Sequence, residues 1–426
     1  MGCLSWKYQV LCLLSFLFHF TPSSLSSSLS SISPCSALLH FNKSMPLDIY
    51  ASPPLDTPDY YSDFYGSNIH MCDNSYPKTA SWKEDKDCCT WDGVLCDQTT
   101  RHVIGLDLSC SWLNGPIHSN STLFFLPHLK RLNLAGNFFN ESLISSKFGN
   151  FKTLTYLNLS NSYFSGKIPY EISQLSSLVS LDLSCNYQLI IETPVWKRVV
   201  DNLTLLRELL LDSTDMSSIR PNSLMNLSST FTTLSLHECN LQGKLENNFL
   251  YLPSIQTLDL GSNVLLEGSL PKCNWSNSSL KFLDLSETCF SGELPDSIGN
   301  LKSLKVLALN RCNFTGSIPS SLSNLTQIIY LHLQINKFIG SIPSSLGNLT
   351  KLTSLALSDN SFNGEIQLLL LNFRYFWHTY ELTNFFFFNY WGIFQQVCCR
   401  SHYLTCPISQ VYTFTTINLL VPFLIM

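Results

Sequence analysis

The sequence predicts an α/β solenoid, a leucine-rich ribbon wound into about eleven stacked coils with a parallel sheet on its concave side. Three observations carry this. The pattern L-x-x-L-x-L recurs with its middle leucine at Leu106, Leu132, Leu157, Leu181, Leu209, Leu234, Leu258, Leu283, Leu307, Leu331 and Leu355. Successive steps are 26, 25, 24, 28, 25, 24, 25, 24, 24 and 24 residues, within the period of leucine-rich repeats. The 426 residues are 45% hydrophobic but only 13% charged, which excludes disorder for most of the chain and leaves Ser, Asn and Thr to wet the surface. The net charge of −5, from 25 basic and 30 acidic residues, offers no surplus of cations for phosphates, so nucleic acid is excluded as a partner class.

Taken from the N-terminus, Lys7 precedes the apolar run Val10 to Phe20 and then a serine-rich stretch. Residues 1–29 therefore read as a secretory signal peptide. Lipidation at Met1-Gly2-Cys3 is the weaker reading, because Trp6 stands where myristoylation wants Ser or Thr. Sixteen cysteines with no C-x-x-C pair suit disulfides in the secretory route better than zinc. Eleven N-x-S/T sequons, at Asn42, Asn120, Asn140, Asn158, Asn202, Asn226, Asn274, Asn277, Asn313, Asn324 and Asn348, give the same compartment, and most are expected to carry glycan.

Residues 30–102 read as an N-terminal cap, since an open solenoid end would expose the interior of its first coil. Residues 103–366 are the repeats. In one unit, Leu304 to Pro319, Leu307 and Leu309 alternate as strand residues that point inward, while Val306 and Ala308 point out. Each coil buries its leucines only against its neighbours, so a central Leu→Ala change costs about 2–5 kcal/mol. Five residues after the middle leucine comes Asn137, Asn186, Asn263, Asn336 or Asn360. A buried amide there can bond the backbone of the adjoining coil. Elsewhere the position holds Ser111, Ser162, Thr214, Cys239, Thr288 or Cys312, so Cys239 and Cys312 read as members of this ladder and not as disulfide partners.

Several units continue as F-x-G-x-[IL]-P, from Phe164, Phe290, Phe314 and Phe338. This resembles the plant extracellular class of leucine-rich repeat, and the resemblance implies a second short sheet beside the main one. Before the repeats, Trp82 to Cys96 spells W-x5-C-C-x-W-D-G-V-x-C, and Cys35-Ser-Ala-Leu-Leu-His-Phe precedes it. Both are similar to the N-terminal cap of plant leucine-rich repeat receptors. By that resemblance Cys89 pairs with Cys96, and Cys88 with Cys35 or Cys72. The cap with its acidic insertion, Pro46 to Gly66, and the units at Ile104, Leu129 and Asn202 are similar to receptor-like proteins that include the tomato leaf-mould resistance receptors.

The resemblance implies a cell-surface immune receptor without a kinase of its own, binding an extracellular peptide or protein ligand and signalling through a membrane receptor kinase. It is expected at the membrane if full length and in the apoplast if the chain ends here. The leucine register stops after Ile366, and residues 367–426 form a non-repeat hydrophobic tail with Arg374, Glu381 and Arg400 as its only charges. That departs from the family and reads as a truncated or misjoined gene model. The other readings are a soluble inhibitor like the polygalacturonase-inhibiting proteins, which have about ten such repeats, and a non-functional truncated product.

No catalytic chemistry is expected. His237-Glu238 lacks the second histidine of a zinc protease, Leu241 standing there, and no nucleophile elbow or phosphate loop occurs. Asp182, Asp259 and Asp284 recur at one repeat position and read as solenoid surface. No cofactor or metal is called for. The functional surface is the concave face, roughly 50 Å long at about 4.8 Å per strand, with Tyr156, Arg207, Glu208, His237, Phe282, Arg311, Tyr330 and His332 as candidate ligand-binding residues, exposed aromatics and arginines being the usual hot-spot types.

Overall fold

The computed structural model describes residues 32–51, 72, 75–246 and 254–363. The segment 1–29, most of the Pro46 to Gly66 insertion and the tail 367–426 lie outside the described residues.

Twelve strands form one sheet in chain order, from Val94–Cys96 and Val103–Asp107 to Tyr330–His332 and Ser354–Ala356. All pairs are parallel except the first, Val94–Cys96 against Val103–Asp107. The middle leucines are register partners throughout, Leu283 with Leu307 and Leu307 with Leu331 among them, so they line up as one column and are buried. The expected solenoid is the observed fold.

The F-x-G segments build a second, six-stranded parallel sheet from Gln242–Lys244 to Ser361–Phe362, and Ser165–Lys167 pairs with Gln188–Ile190 in a smaller one. Beneath them the phenylalanines make a dry spine. Phe314, Phe338 and Phe362 lie parallel with ring centroids 6.2 Å apart. In this segment Gly316 has φ +75°, and a Cβ there would stand 2.7 Å from Glu293 Cγ, so glycine is required by both conformation and space. Pro295, Pro319 and Pro343 then each precede a 3-10 turn, Asp296–Asn300, Ser320–Asn324 and Ser344–Asn348, on the convex side. The 28-residue step has a simple cause: there the turn is replaced by helix α2, Thr193–Asn202, which buries Val195, Trp196 and Val199. Helix α1, Pro34–Ser44, opens the cap.

Three disulfides hold the cap: Cys35–Cys88, Cys72–Cys110 and Cys89–Cys96. The choice left open for Cys88 falls on Cys35, and Cys72 instead reaches into the first coil at Cys110. Trp82 and Trp91 stack at 5.2 Å between ring centroids. The antiparallel strand Val94–Cys96 covers the edge that the first coil would otherwise expose.

The ladder is built as the amide chemistry requires. Asn137 Nδ2 donates to the carbonyls of Leu108, Leu134 and Ala135, and its Oδ1 accepts from the backbone N–H of Ser111 and Leu113. Cys239 and Cys312 are free thiols that donate across the coil boundary to Leu211 and Leu285 carbonyls at 3.2 and 3.0 Å. One regularity is invisible to the leucine pattern. The residue four after each middle leucine is left-handed in all eleven coils, at Cys110, Gly136, Asn161, Cys185, Ser213, Glu238, Ser262, Glu287, Arg311, Ile335 and Asp359. That conformation aims its N–H along the solenoid axis at the next coil, as from Ser213 to His237 and from Ile335 to Ser358.

Candidate functional site

Each strand presents two side chains to the concave face, one on either side of its middle leucine, so the face is ruled into columns. The first column carries Arg131, Tyr156, Ser180, Glu208, Thr233, Thr257, Phe282, Val306, Tyr330 and Ser354; the second carries Asp107, Asn133, Asn158, Asp182, Leu210, Ser235, Asp259, Asp284, Ala308, His332 and Ala356.

The eight candidate residues do not form one cluster but run along this face, seven of them in three groups and His237 between the second and the third. At the cap end the Arg131 guanidinium lies 4.3 Å from the centroid of the Tyr156 ring, a cation–π pair. With Gly93, Leu95, Asp107 and Asn133 these two residues line a shallow depression of ≈ 100 Å³. Lys78 reaches in from the cap to Asp107 Oδ1 at 2.9 Å. Arg131 was not among the residues singled out from sequence, although its place in the first column marks it. Arg207 and Glu208 are exposed at the middle of the sheet.

The C-terminal group differs from expectation. Phe282 is 7% exposed and packs with Val306, Ala308 and Tyr330 in a small cluster of its own on the concave side. His332 is 2% exposed, and its Nε2 lies 2.8 Å from Ser354 Oγ. Neither is an exposed hot-spot side chain, because side chains of the neighbouring coils cover them. Tyr330 is half-buried, edge-on to His332. Arg311 is exposed on a left-handed corner, its Nε 3.6 Å from Glu287 Oε1.

Between these groups lies a buried polar centre that sequence reading misassigned. Asp259 and Asp284 are buried, not solenoid surface; of the three aspartates so read, Asp182 alone is half-buried. Asp259 accepts from the N–H of Gly261 and Asp284 from the N–H of Ser286. His237 Nδ1 sits 3.3 Å from Asp259 Oδ1. Burial, and then the charge of Asp284, push Asp259 well above the usual carboxylate range. Burial likewise raises Asp284 to about 6 and lowers His237 to about 4. Asp212, raised by burial to about 6, accepts from Ser235 Oγ and from the His237 N–H.

The sequons fall elsewhere. Asn120, Asn140, Asn202, Asn226, Asn274, Asn277, Asn324 and Asn348 are exposed, and Asn42 and Asn313 half-buried, all off the long sheet. Asn158 is the exception: it stands on the sheet, 8% exposed, its Oδ1 accepting from Ser160 N–H and Oγ. A glycan has no room there.

Comparison with known proteins fits this geometry. Family models match as leucine-rich repeat N-terminal domain at residues 7–36 and 67–97, leucine-rich repeat at 127–187 and leucine-rich repeat region at 252–369. Receptor-like protein 6 of Arabidopsis thaliana is 43% identical over 240 residues, covering 55% of this chain and 24% of that protein. Receptor-like protein Cf-9 of Solanum pimpinellifolium is 41% identical over 276 residues, 64% of this chain and 30% of that one. The chain belongs to the plant leucine-rich repeat receptor-like proteins. It spans less than a third of the length of these curated relatives.

Among solved structures, the ectodomain of the Arabidopsis receptor kinase HAESA, in complex with an N-terminally extended IDA peptide hormone, is 31% identical with a TM-score of 0.57. It matches over 67% of this chain and 50% of that one. A plant ice-binding protein is 28% identical with a TM-score of 0.56, over 69% and 92%. The receptor-like coil thus serves more than one kind of recognition, and the ligand must be argued from the face itself. Among the described residues no helix is long and apolar enough to cross a membrane.

Proposed function

We propose that this receptor-like protein binds an extracellular peptide or protein elicitor on its concave face and passes the signal, by contact and without catalysis, to a membrane receptor kinase in plant immunity. One observation carries the reading. Every sequon with an accessible amide lies off the long sheet, and the concave face keeps exposed Arg131, Arg207 and Glu208 beside Tyr156. A glycoprotein surface left bare in this way, with arginines and an aromatic on a rigid sheet, suits an extended polypeptide. The HAESA complex, a peptide hormone on a related ectodomain, supports the ligand class.

The test is selection from a phage-displayed peptide library on the immobilised full chain. Peptides enriched on the wild type and lost on an Arg131→Glu, Glu208→Arg double variant support the reading. Equal retention by both chains overturns it. Recovery of the chain in apoplastic fluid without detergent, with no receptor kinase co-precipitating, favours the soluble-inhibitor reading instead.

A further inference from the structure

Coil stacking gathers three metal-ligating side chains that lie far apart in sequence. Asp259 and Asp284 are register partners on adjacent parallel strands, with exposures of 0% and 3%. Like charges directly opposed destabilise a sheet, and buried carboxylates are costly unless compensated. In the same column the chain elsewhere avoids this, setting Asp107 against Asn133, Asp182 against Asn158 and Leu210, and Asp259 against Ser235 on its other side. His237 closes the group from the preceding coil. Ligand atoms of the three residues lie within 4.8 Å of one another. The 3.3 Å between His237 Nδ1 and Asp259 Oδ1 is about the edge of a tetrahedron built on ~2.0–2.1 Å metal bonds.

A second feature points to an occupant. Gly261 is buried beside the group, and a Cβ on it would stand 2.8 Å from His237 Nδ1 and 3.0 Å from Asp284 Oδ1. The ten equivalent positions of the other coils all carry a side chain. Glycine at this coil alone keeps open the small space onto which the imidazole and the carboxylate face.

We propose that His237, Asp259 and Asp284 bind one divalent transition-metal ion on the concave face, in the cradle left by Gly261. One imidazole nitrogen and two carboxylate oxygens are a ligand set that zinc accepts, with water completing its shell. The ion compensates the opposed aspartates and ties three coils together in the middle of the face. The site stands independently of the elicitor reading.

The test uses the full secreted chain, stripped with chelator and titrated with zinc chloride by calorimetry, with bound metal counted by mass spectrometry. The expected result is one zinc per chain at saturation and a zinc-dependent rise in melting temperature. Asp284→Asn should weaken binding by at least ~10–100-fold, the loss seen even for outer-shell changes. Gly261→Ala should weaken it too although all three ligands remain, and Asp182→Asn should leave it unchanged. Melting in chelator keeps the comparison valid, because Asp284→Asn removes a buried opposed charge and should fold at least as stably as the wild type. Zinc uptake no greater than that of Asp284→Asn overturns the proposal and leaves a shared proton as the compensation. So does binding abolished by His128→Gln, which would assign the ion to the stacked His102 and His128 rings.

Discussion

Asn263 reaches across a coil boundary to Leu236, donating from Nδ2 to its carbonyl oxygen at 2.9 Å. The same amide nitrogen donates to Leu260 and Gly261 carbonyls, and Oδ1 accepts from the N–H of Cys239 and Leu241. One fully buried side chain therefore satisfies five backbone groups of two coils. Asn263→Ala strands all of them at once, and each buried unsatisfied group costs about 1–3 kcal/mol before relaxation. The expected loss is about 3–5 kcal/mol, read as a fall in urea midpoint. Asn263→Asp should do similar damage, because a carboxylate has no protons for the three carbonyls.

The same position in another coil predicts the reverse. Thr214 is buried, and its Oγ1 has no hydrogen-bond partner among the described residues. Thr214→Val exchanges a stranded hydroxyl for a methyl of nearly the same shape, so stability should hold or rise by about 1 kcal/mol. A clear fall in melting temperature for Thr214→Val would show that the hydroxyl has a partner.

Ile335 occupies the left-handed corner of its coil at φ +57° and is 40% exposed. A β-branched residue is poorly suited to that region, at a cost of about 1–2 kcal/mol, while Asn enters it readily. Its backbone N–H donates to Ser358, so the corner is held by the next coil. Ile335→Asn should raise the melting temperature, by about 1 kcal/mol of stability, and Ile335→Ala, which keeps a Cβ, should raise it less.

Much of this was legible in the chain, and for a definite reason. A solenoid repeats one local solution, so the leucine register reports strand positions, the column that each concave residue joins, and the ladder roles of Cys239 and Cys312. What it does not report is the neighbourhood along a column. Asp259 and Asp284 look like ordinary surface positions until the coils stack in register and bury each beside the other. Phe282 and His332 fail as exposed aromatics for the same reason, being covered by side chains 22 to 24 residues away, among them Val306 and Ser354. The left-handed corners escaped because only Gly136, Asn161 and Asp359, among eleven residues of mixed type, belong to types that favour that conformation.

His332 gives the pH prediction its sign. Burial lowers its pKa to about 4, against the ordinary 6.5 expected in the unfolded chain. Above pH 6.5 the imidazole is neutral in both states and contributes no pH dependence. As pH falls below 6.5 the unfolded chain takes up a proton that the folded chain refuses, so stability drops progressively down to about pH 4. The fall from 6.5 to about 4 corresponds to about 3 kcal/mol at most. His332→Gln retains a polar partner for Ser354 Oγ but cannot protonate. Urea unfolding at pH 7.5, 5.5 and 4.0 should therefore show the wild type losing more stability than His332→Gln on acidification, with the gap opening below pH 6.5. Parallel losses at all three pH values would mean that the folded chain protonates His332 as readily as the unfolded one, and that the imidazole is open to water on the concave side after all.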